Sequence, residues 1–269
     1  MSVMTVNEGT GLVNMANGLM RRFSMAGVSP PEVFYVDRDC CSGTTGSKTQ
    51  NLFSLWDNLV IRLDIWHFMR RIAAGCNTEA HPLYSVFLSR LSQCIFQWSE
   101  EDLALLKSAK RGQLQSQGIA DPSEAAIIEK ITRRELALHC RRKTRGVVDT
   151  TAMIYDLLLT FTGPQGCDTT GVPLLDKTCI WAMWDNQKHH IPCIQDPEGV
   201  QLYTKTGVLT KGGVQLPTYR CARGSTSLES FHLHIDKFIP GNDISAKTQH
   251  IPNTFVYKMF LFFFRYFCK

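Results

Sequence analysis

Val33-Phe-Tyr-Val36-Asp37 and Val60-Ile-Arg-Leu63-Asp64-Ile-Trp-His67 are the two stretches that decide the fold of this chain. Each opens with a short run suited to a buried strand, and each run ends on an aspartate. Before the first, residues 11–25 place Leu12, Val13, Met15, Leu19, Met20 and Phe23 at helical spacing, and Val28-Ser-Pro-Pro31 breaks that helix. A Gly/Ser/Thr-rich loop over residues 42–48 and a helix over 52–58 connect the two runs. Residues 65–74 then read as a further helix. Strand, helix, strand and helix in that order predict a parallel α/β unit. In such sheets functional groups gather at the carboxyl ends of strands, which is where Asp37 falls.

From residue 81 the pattern changes to helices. His81-Pro82 opens one that should run to residue 98, with Leu83, Phe87, Leu91 and Ile95 on one face. Ser99 with Asp102 makes a capping-box start for the next. Asp121-Pro122 with Glu124 starts another, which should reach residue 142. Further helices are predicted over 147–161 and 172–189. Residues 192–223 are less regular and contain a hairpin-like Thr210-Lys-Gly-Gly213. Ser225-Thr-Ser-Leu-Glu-Ser-Phe-His232 should begin a helix that Pro240-Gly241 closes. The expected organisation is therefore an α/β core in residues 1–80, an all-helical insertion in 81–224, a returning core helix in 225–249, and a separate tail in 250–269.

The composition supports a folded chain: of 269 residues, 44% are hydrophobic and 20% charged, with a net charge of +5. That charge permits a polyanionic partner without requiring one. The cations are clustered, however. Arg133, Arg134, Arg141, Arg142, Lys143 and Arg145 fit either a solvated face or a nucleic-acid groove. The ten cysteines comprise Cys40-Cys41 and eight scattered singles, with no CxxC pair. The first twenty residues lack the apolar core of a secretory signal, so reduced thiols in an intracellular protein are expected. Cys179, His189, His190 and Cys193 are the nearest approach to a zinc site, without the usual paired spacing. The aromatic-rich stretch 255–268 is too short to span a bilayer, which takes about 20 apolar residues, and no membrane association is expected. Trp66, Trp98, Trp181 and Trp184 can stack on bases, but their spacing favours core packing.

Three blocks then carry a resemblance. Tyr35-Val-Asp37-Arg-Asp-Cys-Cys41, Leu63-Asp-Ile-Trp-His67 and Arg223-Gly-Ser-Thr-Ser-Leu-Glu229-Ser-Phe-His232 resemble the later blocks of a cut-and-paste, DDE-type transposase with a ribonuclease H-like core. The match spans residues 1–249, and each block is distinctive only in company with the others. The resemblance implies a ribonuclease H-like fold interrupted by a helical insertion. It implies that Asp37 is the second catalytic aspartate, Asp39 its fallback, and Glu229 the catalytic glutamate, the two holding Mg²⁺ or Mn²⁺. Such ions take oxygen ligands and, in pairs, stabilise both the attacking and the leaving oxygen of a phosphodiester. Asp64 and His67 are implied as supports of that site, and DNA in the nucleus as the substrate. Asp37 as a turn residue and Glu229 as an ordinary first-turn glutamate are the plain alternatives. His67, His232 and His234 are expected to be packed rather than ligating.

No aspartate precedes Asp37 in the sequence. The family's first aspartate and first strands lie ahead of the segment that Ser2-Val-Met-Thr-Val resembles, so an incomplete core with little catalysis is expected. A homo-oligomer or a partner covering the open sheet goes with that expectation. The alternative is a non-catalytic nucleic-acid-binding or scaffold protein using the basic helices. The tail from His250 departs from the family pattern and reads as an aberrant continuation.

Overall fold

The computed structural model describes residues 10–40 and 47–223. They fall into two compact units, one of residues 10–31 and 48–59, the other of residues 32–40, 47 and 60–223. In the smaller unit, α1 (Thr10–Met25) buries Ala16, Leu19 and Met20 along one stripe. It ends in a Schellman arrangement: Gly27 takes a φ of 62°, Gly27 N donates to Ser24 O, and Val28 N donates to Phe23 O. The second helix, α2 (Lys48–Leu52), lies earlier than the predicted 52–58. Phe53 and Trp56 stack at 4.9 Å and are both buried, and bonds from Phe53 N to Gln50 O and from Trp56 N to Phe53 O tighten the chain into turns.

The larger unit begins with β1 (Val33–Val36) and β2 (Val60–Leu63). They pair in parallel, Val33 opposite Val60 and Val36 opposite Leu63. Asp64 N extends the ladder by donating to Val36 O at 2.8 Å. There follow α3 (Ile65–Ala73), α4 (Tyr84–Ile95), β3 (Phe96–Trp98), α5 (Glu100–Ser116), α6 (Glu124–Lys130), α7 (Arg133–His139) and β4 (Arg142–Thr144). Next come α8 (Val147–Phe161), α9 (Lys177–Gln187), a 3₁₀ segment (Lys188–Ile194), β5 (Tyr203–Lys211) and β6 (Val214–Cys221). The class is mixed α/β with small sheets.

One apolar core holds this unit together and runs across residue 80. Leu63 of β2 and Ile65, Phe68 and Ile72 of α3 pack with Phe87, Leu91 and Ile95 of α4. Ile154, Leu158 and Phe161 of α8 and Ile180 and Trp184 of α9 complete it. Each such side chain withdraws enough apolar surface to contribute about 1.5–3 kcal/mol, before the entropy of ordering it.

The segment 81–224 is not all-helical. Phe96, Gln97 and Trp98 pair antiparallel with Thr144, Lys143 and Arg142, where the sequence predicts a helix continuing to residue 98 and another to 142. Strands of three residues carry no measurable period, and this pair is held by side chains: the Arg142 guanidinium lies 3.9 Å above the Phe96 ring. The predicted helix over 121–142 is two helices. Ser123, not Asp121, caps α6. The break follows at Thr132, whose Oγ1 accepts from Glu135 N while its own N donates to Glu135 Oε2, a complete capping box for α7. The helix predicted from 172 starts only at Lys177, where Asp176 accepts from Cys179 N at 2.7 Å.

The hairpin signalled at Thr210-Lys-Gly-Gly213 is present as β5–β6, with positive φ at both Gly212 (53°) and Gly213 (78°), as a type I′ turn demands. The turn lies directly against α5. A Cβ on Gly212 would overlap the Ala109 carbonyl, and one on Gly112 would overlap the Gly212 carbonyl. Beside it Leu106, Ala109, Cys140 and Leu216 form a second small core.

Glu135 lies between Lys110 Nζ at 2.7 Å and Lys211 Nζ at 3.6 Å. Burial opposes its ionisation, yet the bonds from Lys110 and Thr132 outweigh that and bring the carboxyl down from 4.5 to about 2. A lowered folded-state value gives stability that is fully present above pH 4.5 and is lost as pH falls towards 2. In an acid titration followed by thermal melting, Glu135→Gln is expected to be less stable than wild type at neutral pH. The gap, up to roughly 3 kcal/mol at about 1.4 kcal/mol per pH unit of displacement, should close through that window.

Candidate functional site

The two strand ends present their aspartates differently. Asp37, one residue past β1, has an exposed side chain, while Arg71 Nη2 from α3 donates to its backbone carbonyl. The backbone is thus held and the carboxylate left facing outward. Asp64, one residue past β2, is 2% exposed. Its Oδ1 accepts from His67 N at 3.2 Å and lies 3.3 Å from His67 Nδ1, so it caps α3 and orients the imidazole. Asp39, the fallback for Asp37, is engaged elsewhere: at a φ of 57° its carbonyl and Oδ2 both accept from Ser47 Oγ. Trp66 is 51% exposed rather than packed in the core. The buried stripe of α3 is Ile65, Phe68 and Ile72, and Trp66 lies off it, with Arg70 5.7 Å from its ring.

The six clustered cations divide into two sets. Arg141 forks onto Asp102, with Nε at 2.8 Å and Nη2 at 2.9 Å, and its backbone N adds a third bond. Arg142 stacks on Phe96, and Arg145 Nε donates to Gln93 O. These three hold the fold together. Arg133 and Arg134, at the start of α7, and Lys143 of β4 are exposed, and their side chains make no hydrogen bond or ion pair among the described residues. Cations in a first helical turn oppose the helix dipole, so Arg133 and Arg134 gain nothing there from α7 itself.

A third cluster emerges only in three dimensions. Cys40, which follows β1, lies with its Sγ 3.4 Å from His190 Nδ1, and Cys193 joins them, each residue offering one ligand atom within 4.8 Å of the others. Of the four residues singled out in the sequence, His190 and Cys193 belong to this group. Cys179 instead faces the Ala74 carbonyl, and the exposed His189 ring rests on His190 at 4.2 Å. Cys40 was the missing member, 150 positions from His190. Its only signal in the sequence is a cysteine pair just past a strand end. Other thiols behave as packed apolar groups: burial pushes Cys76 and Cys94 up to about 11 and Cys140 to about 12.

Arg223 was also missed as a structural residue. Its side chain, 5% exposed, forks onto Asp196 with both bonds at 2.7 Å and donates to Arg142 O. Burial pushes the neighbouring Tyr35 hydroxyl up to about 12, against the opposing charge of Arg223. That hydroxyl has no hydrogen-bond partner among the described residues. Glu229, His232, His234, the helix expected from 225 and the tail from 250 lie outside the described residues, as do Cys41 and the first strand. No protein-family model, no curated protein and no solved structure matches this chain. No helix among the described residues is long and apolar enough to cross a membrane.

The different roles of the two aspartates separate by mutation. Asp64→Ala removes a buried cap and is expected to cost about 1–2 kcal/mol in urea unfolding. Asp37→Ala in metal-free protein should stay within roughly 0.5 kcal/mol of wild type. Equal losses at both positions would show that Asp37 is structural.

Proposed function

We propose that this chain is a transposase-type nuclease domain, derived from an enzyme that cleaves and transfers DNA phosphodiesters with Mg²⁺ or Mn²⁺, and that it acts by binding DNA. The observation that carries this reading is the parallel strand pair with its two unequal strand-end aspartates, Asp37 exposed on a held backbone and Asp64 buried. That is the placement an α/β site uses for a metal-binding carboxylate and its support. The course of the chain adds to it. Arg223 opens the block that contains Glu229 and is anchored close enough to Tyr35 for its charge to act on that hydroxyl. Glu229 follows Arg223 by six positions in the sequence.

In this reading Asp37 and Glu229 hold the divalent ion, and Arg133, Arg134 and Lys143 contact phosphates. Metal and DNA binding are proposed for the chain, and phosphodiester cleavage for the enzyme from which it derives. The nucleus is the compartment that goes with it. A second copy or another partner against the β1–β2 pair belongs to the same reading. The second reading is a non-catalytic nucleic-acid-binding or scaffold protein using the basic helices; the commitment of Arg141, Arg142 and Arg145 to the fold favours its scaffold form.

Two measurements decide between them. Mg²⁺ or Mn²⁺ is expected to raise the melting temperature of the purified chain, and the double variant Asp37→Ala, Glu229→Ala should abolish the rise. A well-folded wild type indifferent to both ions would sink the metal reading and leave the second. For DNA, affinity for a duplex should fall with salt because binding releases counterions condensed on the phosphates. Replacing Arg133, Arg134 and Lys143 by Ala should flatten the log–log slope by about 2–3, close to one per phosphate contact. An unchanged slope would remove these residues from the interface.

A further inference from the structure

We propose that Cys40, His190 and Cys193 form a zinc site that fastens the carboxyl end of β1 to the 3₁₀ segment Lys188–Ile194. Two thiols and an imidazole are the ligand chemistry of zinc, and water or a further side chain takes the fourth position of the tetrahedron. The local geometry brings them together for a physical reason. In a 3₁₀ helix side chains three residues apart eclipse one another, so His190 and Cys193 project from one face. That face meets Cys40, which is buried. The segment's position is fixed independently by Arg62 of β2, whose Nε donates to Gln195 O at 2.9 Å. The cluster is therefore held in place before any ion arrives.

The distances suit the ion. Zn–S and Zn–N bonds of about 2.3 and 2.0–2.1 Å at a tetrahedral angle set S···N near 3.6 Å and S···S near 3.8 Å. Cys40 Sγ and His190 Nδ1 already stand at 3.4 Å, and no separation in the group exceeds 4.8 Å. Closing the longest by about 1 Å is within a cysteine side-chain adjustment. On binding, both thiols lose their protons to solvent and the imidazole binds in its neutral form. Two thiolates then balance the dication, so the site carries no net charge into a half-buried position. Mg²⁺ and Mn²⁺ prefer oxygen donors and are poor occupants here. The site is thus chemically separate from the carboxylates proposed above.

The test is cobalt and zinc titration of the full, reduced, metal-free chain. Co²⁺ is expected to give thiolate-to-metal charge transfer and the intense visible bands of a tetrahedral site, both removed by one equivalent of Zn²⁺. Cys40→Ser and Cys193→Ser should each weaken zinc by more than the roughly 10–100-fold that loss of a supporting partner costs a metal site. Cys179→Ser and His189→Ala should bind as wild type does. Because the spectrum is read on wild type, a variant that fails to fold does not protect the idea. Absence of the thiolate band in reduced wild type, full affinity in Cys40→Ser, or loss of binding in Cys179→Ser would each overturn it. The Asp37→Ala, Glu229→Ala double variant should keep its zinc, so failure of the carboxylate reading and failure of this one are seen separately.

Discussion

The arrangement of the small sheets in the larger unit depends on one largely buried ion pair. Arg223 and Asp196 meet fork to fork, and both are also bound to β4: Arg223 donates to the Arg142 carbonyl, and Asp196 Oδ2 accepts from Thr144 N at 3.0 Å. Thr144 Oγ1 returns the link by accepting from Asp196 N at 2.9 Å. The Arg223 guanidinium lies 5.2 Å from the Phe96 ring, and Tyr203 Oη accepts from Arg142 N. Withdrawing two charges from water is costly, and their attraction offsets it only when geometry is good and every remaining donor and acceptor is satisfied. Here they are satisfied by backbone groups of β4 and by Tyr203 Oη and Cys221 Sγ, which accept from Arg223 Nη1. The pair therefore cannot form unless β3–β4 and the β5–β6 end of the chain are already in register. It contributes specificity of arrangement more than net stability.

That constraint explains why strands of three residues exist in a segment otherwise made of helices. A pair such as Phe96–Trp98 with Arg142–Thr144 has too few ladder bonds to stand alone. It is stabilised by Arg142 on Phe96, by Arg141 on Asp102, and by the hairpin whose two-glycine turn reaches α5. Three of the six cations that look in the sequence like a nucleic-acid surface are thus engaged in the fold. Charge counted along a chain records how many cations there are, not how many remain for a partner.

The legible part of the fold was the part with a period. α1, α3 and α8, and the two strands ending at Asp37 and Asp64, follow from apolar spacing and strand-end aspartates. β3 and β4 do not, because their pairing is decided by side chains from distant segments. The break between α6 and α7 was locally visible as Thr132-x-x-Glu135, but an uninterrupted helical pattern concealed it; here a cap outweighed periodicity. The candidate site divides in the same way. Asp37, Asp64 and His67 are neighbours in short blocks and could be read as a set. Cys40 and His190 are brought together by distant contacts, Arg62 of β2 on Gln195 and Ile191 and Ile194 in the common core, that leave no trace in local sequence.

The end of β1 is consequently restrained from two directions. Arg71 holds the Asp37 carbonyl from α3, and three residues later Cys40 is drawn against His190 and Cys193. Asp39, between them, sits in the left-handed region that a non-glycine residue adopts at a cost, and Ser47 bonds both its carbonyl and its carboxylate. A strand end that merely turned away into solvent would need none of this. Fixing the backbone on both sides of an exposed carboxylate removes the conformational freedom it would otherwise lose on meeting a cation, and preorganisation of that kind is what separates a ligand from a surface charge. Under the two proposals above, the Cys40–His190–Cys193 cluster would hold the strand end still and the Asp37 carboxylate would be presented from it at a defined place.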